Sequence, residues 1–173
     1  MLTGKKILIT RPKEQGENLS AALHAQGADC FVIPAIEIKP VSYVISPEEL
    51  SKQDKFIFIS QNAALLGPQL SQLDKPIYAI GQATAQSLKD KGCEQVIVPK
   101  EFFSESLLEQ SDLDDVRNEN ILIICGRGGR QLLEETLTQR GANCQRLEVY
   151  QRLYPQRNEQ DLREILASVV LDF

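Results

Sequence analysis

Ile121-Leu122-Ile123-Ile124-Cys125-Gly126-Arg127-Gly128-Gly129-Arg130 is an apolar run that breaks at a glycine-rich corner carrying two arginines. The run is continuous instead of alternating, which suits a strand buried on both faces of a parallel sheet. A helical pattern follows from Gln131 to Arg140, Gly141 stops it, and a second extended run, Leu147-Glu148-Val149-Tyr150, comes after. Strand, turn, helix and strand make one βαβ unit, and such a unit buries its sheet only when others lie beside it.

The rest of the chain reads as further units of this kind. Lys6–Thr10 is a short strand. Glu14–Gln26 is a helix with Leu19, Ala22 and Leu23 on one face and a stop at Gly27. Phe31-Val32-Ile33 follows as a strand, Pro34 interrupts it, and Ile36-Glu37-Ile38 resumes. Two readings are open at Pro34: a crossing between two lobes, or a bent edge strand. Phe56–Ile59 is a buried strand ending at Ser60-Gln61-Asn62, whose side chains can cap the helix that runs to Gly67-Pro68. Ile77–Ile80 leads through Gly81 into a helix over Ala83–Lys91. Val96-Ile97-Val98 reads as another strand, Ser104 as the N-cap of a helix, Leu162–Ala167 as a helix, and Val169–Phe173 as the start of a strand.

One corner is reused. Gln26-Gly27-Ala28-Asp29-Cys30 is echoed by Arg140-Gly141-Ala142-Asn143-Cys144 and, more briefly, by Lys91-Gly92-Cys93. Each places a glycine where a helix ends and a strand begins, the position that favours a left-handed backbone. The expected class is therefore α/β, with right-handed crossovers and helices on both faces of a parallel sheet.

Composition narrows the function. The 173 residues are 42% apolar and 25% charged, with a net charge of −5. That balance argues against nucleic acid as a partner, because phosphate binding draws on a basic excess. No stretch approaches the roughly 18 apolar residues that span a bilayer, and the N-terminal apolar run is too short for a signal peptide. The four cysteines form no C-x-x-C pair, so core packing is favoured over metal binding and a cytoplasmic location is expected. His24, without nucleophile or carboxylate partners at telling spacings, reads as a surface residue.

In such a sheet ligands bind beyond the carboxyl ends of the strands. Four turns gather there: Thr10-Arg11, Ser60-Gln61-Asn62, Gly81-Gln82-Ala83-Thr84 and Gly126–Arg130. Each offers small or hydroxyl residues and helix N-terminal N–H groups, which suits carboxylates or phosphates. Gly-Arg-Gly-Gly-Arg is neither a dinucleotide fingerprint nor a P-loop, and it can equally be a flexible turn with solvated arginines. No carboxylate pair or nucleophile elbow is visible. An enzyme built on these turns would bind and shape an anionic substrate. Tyr150 has two readings as well: a phenol that donates a hydrogen bond to a leaving oxygen, or a tyrosine packed at a strand edge with its hydroxyl in water.

Taken together, Ile9-Thr10-Arg11-Pro12, Ile33-Pro34-Ala35-Ile36-Glu37-Ile38, Phe58–Ala63, Ala79–Ala85, Cys125–Arg130 and Val149-Tyr150-Gln151-Arg152 resemble uroporphyrinogen-III synthase in order and spacing. The resemblance implies two flavodoxin-like α/β lobes joined by a two-stranded linker, with the active site in the cleft between them. It implies a lyase that cyclises hydroxymethylbilane with loss of water and inversion of ring D, through azafulvene and spiro-pyrrolenine intermediates and without a cofactor or metal. By motif, Tyr150 matches the tyrosine that assists loss of the hydroxyl. Arg11, Ser60, Gln61, Gly81, Thr84, Gly126, Arg127, Gly128 and Arg130 match substrate-binding positions. The substrate's acetates and propionates agree with the anion-binding turns.

One departure from the family pattern sets further expectations. The first lobe, residues 1–34 and 157–173, holds fewer strands than the family's, while the second, residues 35–156 with both linker crossings, reads as whole. Little synthase activity is expected of this chain alone, and exposed sheet edges could make an oligomer of what is a monomer in the family. The alternative is a non-catalytic α/β module that binds an acidic tetrapyrrole or a protein partner. A response-regulator or flavin-binding domain lacks support, for there is no aspartate pocket and no hydroxyl-rich phosphate loop.

Overall fold

The computed structural model describes residues 2–129 and 131–156, together with Arg163 and Ala167. The chain divides into two compact units, Met1–Lys39 with Arg152–Phe173, and Pro40–Gln151. The sheets are parallel-dominated and the fold is mixed α/β.

In the first unit β1 (Lys6–Ile9) and β2 (Asp29–Val32) pair in parallel, Lys6 opposite Asp29 and Ile9 opposite Val32. Between them runs α1 (Lys13–His24), two residues shorter at its end than the spacing predicts. Its apolar face is also different. Ala22 is exposed, and the buried residue of the helix is Gly16. A Cβ on Gly16 would lie 2.7 Å from Val32 Cγ1 and 3.5 Å from Ile9 Cγ2, so the helix approaches the ladder closely there. Hydrophobic periodicity cannot register a contact made by the lack of a side chain. The predicted helix over Leu162–Ala167 and strand over Val169–Phe173 lie outside the described residues, apart from Arg163 and Ala167, both helical.

The larger sheet has the order β3-β7-β6-β4-β5, from β3 (Glu37–Pro40), β4 (Lys55–Phe58), β5 (Ile77–Ala79), β6 (Asn120–Gly126) and β7 (Asn143–Leu153). β5, β4, β6 and β7 are mutually parallel. Every residue of β4 and β5 is buried, as is all of β6 after Asn120. A continuous apolar run is what two covered faces demand. Ile57, Tyr78, Ile121 and Ile123 pack with Leu107 and Leu108 of α5 (Ser104–Leu108) and with Leu133 and Leu137 of α6 (Leu132–Gln139). The opposite face holds α3 (Gln61–Leu66) and α4 (Gln82–Asp90), which pack on one another. A short helix, α2 (Pro47–Ser51), precedes β4 with a full capping box between Ser46 and Glu49.

Gly27, Gly92 and Gly141 adopt φ of +91°, +87° and +94°, so the repeated corner is a left-handed helix stop in all three places. Two local expectations fail. Val96-Ile97-Val98 is not a strand; only Ile97 bridges to Tyr78, through Ala79 N–H to Ile97 O at 2.9 Å and Ile97 N–H to Ile77 O at 2.8 Å. β5 is three residues long and offers no further ladder. Ser104 is the first helical residue instead of the cap, which is Phe103, and it is Ser106 Oγ that accepts from Glu101 N–H at 3.3 Å.

Strand order creates a crevice. From β4 the chain moves outward to β5 and then returns to lay β6 on β4's other side. The helices after β4 and β6 therefore leave toward opposite faces, and the crevice outside the carboxyl ends of these two strands is where α/β sheets bind ligands.

Candidate functional site

At the end of β4 the backbone of Ser60 is extended (φ −166°, ψ 160°), and its hydroxyl accepts from Ala63 N–H at 3.0 Å, capping α3. The same Oγ lies 3.0 Å from the Tyr150 hydroxyl, joining β4's end to β7 across 90 residues of sequence. With Ala63 N–H donating to Ser60, the Ser60 O–H can donate to the phenol, and the phenol's own proton is then not committed to Ser60.

Gly126 makes that bond possible. A Cβ there would fall 2.5 Å from Tyr150 Cζ and 2.6 Å from Cε2, so the phenol ring lies directly on the glycine. The ring is aimed by a bulge. Cys125 pairs with Glu148 but Gly126 pairs with Tyr150, leaving Val149 as the extra residue on β7. Such a bulge redirects the side chain that follows it. Arg127 N–H closes the arrangement on Tyr150 O at 2.8 Å. Tyr150 is only 1% exposed. It is neither a wet edge tyrosine nor a phenol standing open to solvent; its ring is packed and its hydroxyl paired.

The neighbouring turns differ from their sequence reading. Gly81 is buried and begins α4, and no side-chain cap bond is found there or at the start of α6. Those two helix starts keep the N–H groups and dipole that favour an anion, whereas Ser60 uses one such group at α3. Gln61 is half-buried. Thr84, in the first turn of α4, is 3% exposed and so presents little surface to a ligand. In the glycine-rich corner Gly128 turns with φ +71°, and Arg127 Nε donates to Glu148 Oε2 at 3.1 Å. Arg127 is thus an exposed ion pair instead of a solvated cation. Arg130 lies outside the described residues. Arg11, in the first unit, donates to Gln15 Oε1 at 3.0 Å across one helical turn. Ser60, Gly126 and Tyr150 are in direct contact, and Arg127 reaches them through its backbone.

Two residues escape the sequence reading. Glu148 holds Arg127, and Arg146, two residues earlier on β7, reaches Glu134 Oε2 at 3.5 Å. Arg146 Nη2 also comes within 3.8 Å of where a Gly129 Cβ would lie, which puts a guanidinium beneath the corner. Period-two spacing of Arg146 and Glu148 beside a glycine-rich turn was the available signal. Burial raises the thiol pKa of Cys125 beside this cluster, with the Arg146 charge opposing the shift. Cys93 and Cys144 are raised by burial too, and all four cysteines are free. His24, exposed, contacts Ala28 O at 3.1 Å. Among the described residues no helix is long and apolar enough to cross a membrane, and no cluster of potential metal ligands is present.

The family described as Uroporphyrinogen-III synthase HemD matches residues 17–173. The uroporphyrinogen-III synthase of Proteus mirabilis is 38% identical over 161 residues, covering 86% of this chain and 80% of that one. That of Escherichia coli (strain K12) is 34% identical over 158 residues, covering 84% and 64%. This chain therefore spans less than two thirds of the Escherichia coli relative's length. Among solved structures, a mutant uroporphyrinogen III synthase from the extremely thermophilic bacterium Thermus thermophilus superposes with a TM-score of 0.59 at 19% identity, over 88% of this chain and 64% of that one. The uroporphyrinogen-III synthetase from Helicobacter pylori 26695 gives 0.56 at 19%, over 78% and 61%. The structural likeness is one of fold, and the sequence matches carry the assignment: the chain belongs to the uroporphyrinogen-III synthase family.

Proposed function

We propose that the chemistry of this protein is that of a uroporphyrinogen-III synthase, a lyase that converts hydroxymethylbilane to uroporphyrinogen III and water in tetrapyrrole biosynthesis, and that this chain alone turns over slowly. The observation that carries the reading is the Ser60–Tyr150 hydroxyl pair, 3.0 Å apart over Gly126 at the carboxyl ends of β4 and β6. In the reaction the carbon–oxygen bond of the terminal hydroxymethyl group breaks as the pyrrole nitrogen supplies electrons. The Tyr150 phenol gives its proton to the departing hydroxyl, which leaves as water. Attack by ring D through its substituted carbon forms a spiro intermediate; the bond from that carbon to its original bridging methylene then breaks, and that methylene rejoins ring D at its free α carbon, which inverts the ring. The proton lost as the ring system regains its aromaticity restores the phenol. Neither metal nor redox partner enters the balance.

The substrate carries a carboxylate on every acetate and propionate arm, against a protein of net charge −5. Local donors must hold it, and the starts of α4 and α6, with Gly81, Gly126, Arg127, Gly128 and Arg130, supply them. Ser60 and Gln61 join these donors within the second unit. The same reading treats the two units as flavodoxin-like lobes that the chain links twice, at residues 39–40 and 151–152, in a cytoplasmic enzyme.

Burial of Tyr150 favours a second reading, in which the phenol is packing alone and the protein is a non-catalytic module for an acidic tetrapyrrole or a protein partner. A coupled assay that supplies hydroxymethylbilane separates them. Type III product above the uncatalysed background, even at a slow rate, supports the enzyme; the type I isomer alone, which forms when the ring closes without inversion, supports the module.

A further inference from the structure

Two phenylalanines stand open at the same end of the sheet as Ser60 and Tyr150. Phe102 is 59% exposed and Phe103 is 45% exposed. Phe102 is nonetheless held. Its Cβ, Cγ and Cδ1 lie 3.2, 3.4 and 3.6 Å from the point a Cβ on Gly81 would occupy, so the root of the side chain is seated on the turn that leaves β5. The backbone explains why. The Ile97 bridge lays the chain alongside β5 in the parallel sense, and Pro99 is buried as it leaves the sheet. Glu101 then fixes the loop, its N–H on Ser106 Oγ at 3.3 Å and its carbonyl accepting from Phe103 N–H at 3.0 Å. An aromatic seated at its root and more than half exposed is a ready surface for a flat ring.

The site described above answers carboxylates, but Ser60, Gln61 and Thr84 offer no broad apolar face to the four pyrroles that carry them. We infer that Phe102 is the shelf on which one pyrrole ring of the tetrapyrrole rests, positioning it beside the Gly81 turn, with Phe103 as the outer rim. This rests on the cyclase reading for its ligand. Phe102 contacts substrate and moves no proton, so its loss acts on binding before turnover.

Calorimetric titration of uroporphyrinogen III, kept reduced under anaerobic conditions, into the wild-type chain, Phe102→Ala and Phe102→Tyr reads the shelf directly. The alanine variant binds about tenfold more weakly and the tyrosine variant stays within about twofold of wild type. Equal affinity for Phe102→Ala overturns the proposal, and so does a wild-type chain that fails to bind the tetrapyrrole. Urea unfolding guards against a packing effect: a lowered midpoint in Phe102→Ala with unaltered binding assigns the ring to Gly81 alone and overturns the shelf. The two readings also fail differently. Type III product at an unchanged KM in Phe102→Ala removes the shelf and leaves the cyclase standing. A wild type yielding only type I product removes the cyclase, and the titration still decides the shelf.

Discussion

Ser60 Oγ and the Tyr150 hydroxyl are 3.0 Å apart, and the same Ser60 oxygen caps α3 through Ala63 N–H. One oxygen therefore joins the stability of a helix start to the orientation of the phenol. Ser60→Ala removes both bonds. It should cost about 1 kcal/mol of stability, the usual worth of a lost N-cap, and lower turnover as well. Ser60→Thr, which keeps the hydroxyl, should recover most of each. Urea unfolding and steady-state kinetics on the two variants check this.

Gly126→Ala sets a methyl group into the space the Tyr150 ring fills, 2.5 Å from Cζ. The ring cannot retreat far, because Tyr150 is buried and Arg127 N–H holds its carbonyl. The variant should lose about 1–3 kcal/mol, the range for overpacking a filled core. Wild-type stability in chemical denaturation would contradict the contact.

In the proposed site, a ligand carboxylate must displace Glu148 to reach Arg127 Nε. The pair is exposed, so breaking it costs little. Glu148→Gln should therefore bind the tetrapyrrole about two- to fivefold more tightly in dilute buffer, with the gain fading as salt screens the freed charge. A titration series at low and high ionic strength measures both parts.

Tyr78 carries a pH dependence. Burial, reinforced by its hydrogen bond to Asp112, pushes its phenol well above the ordinary value of 10.0. The folded protein then holds the phenol proton in a range where the unfolded chain releases it. The resulting stability is present in full below pH 10 and is lost as pH rises from there toward the folded value. Unfolding free energy should fall more steeply above pH 10 in wild type than in Tyr78→Phe, measured by urea denaturation at stepped pH.

Much of this is legible in the sequence where the cause is local. The unbroken run from Ile121 to Cys125 specifies a strand covered on both faces, and Gly27, Gly92 and Gly141 mark helix stops because few other residues take that backbone. Ser60 announces itself as a cap by its place before a helix. Non-local geometry was hidden. Nothing near Val96-Ile97-Val98 tells that β5 is too short to pair with more than Ile97. Gly16 contacts β2 through an absent side chain, Arg127 is held by a glutamate 21 residues away, and the bulge that aims Tyr150 depends on register with β6.

Loss of the substrate hydroxyl rests, in the proposed mechanism, on the phenol proton of Tyr150. Tyr150→Phe keeps the ring over Gly126 and leaves Ser60 capping α3, so it isolates the hydroxyl. Turnover of hydroxymethylbilane should fall by about 100-fold or more, the low end of general-acid contributions, with KM and the unfolding midpoint near those of wild type. Unchanged turnover in a fully folded Tyr150→Phe protein would contradict the account and return Tyr150 to a packing role.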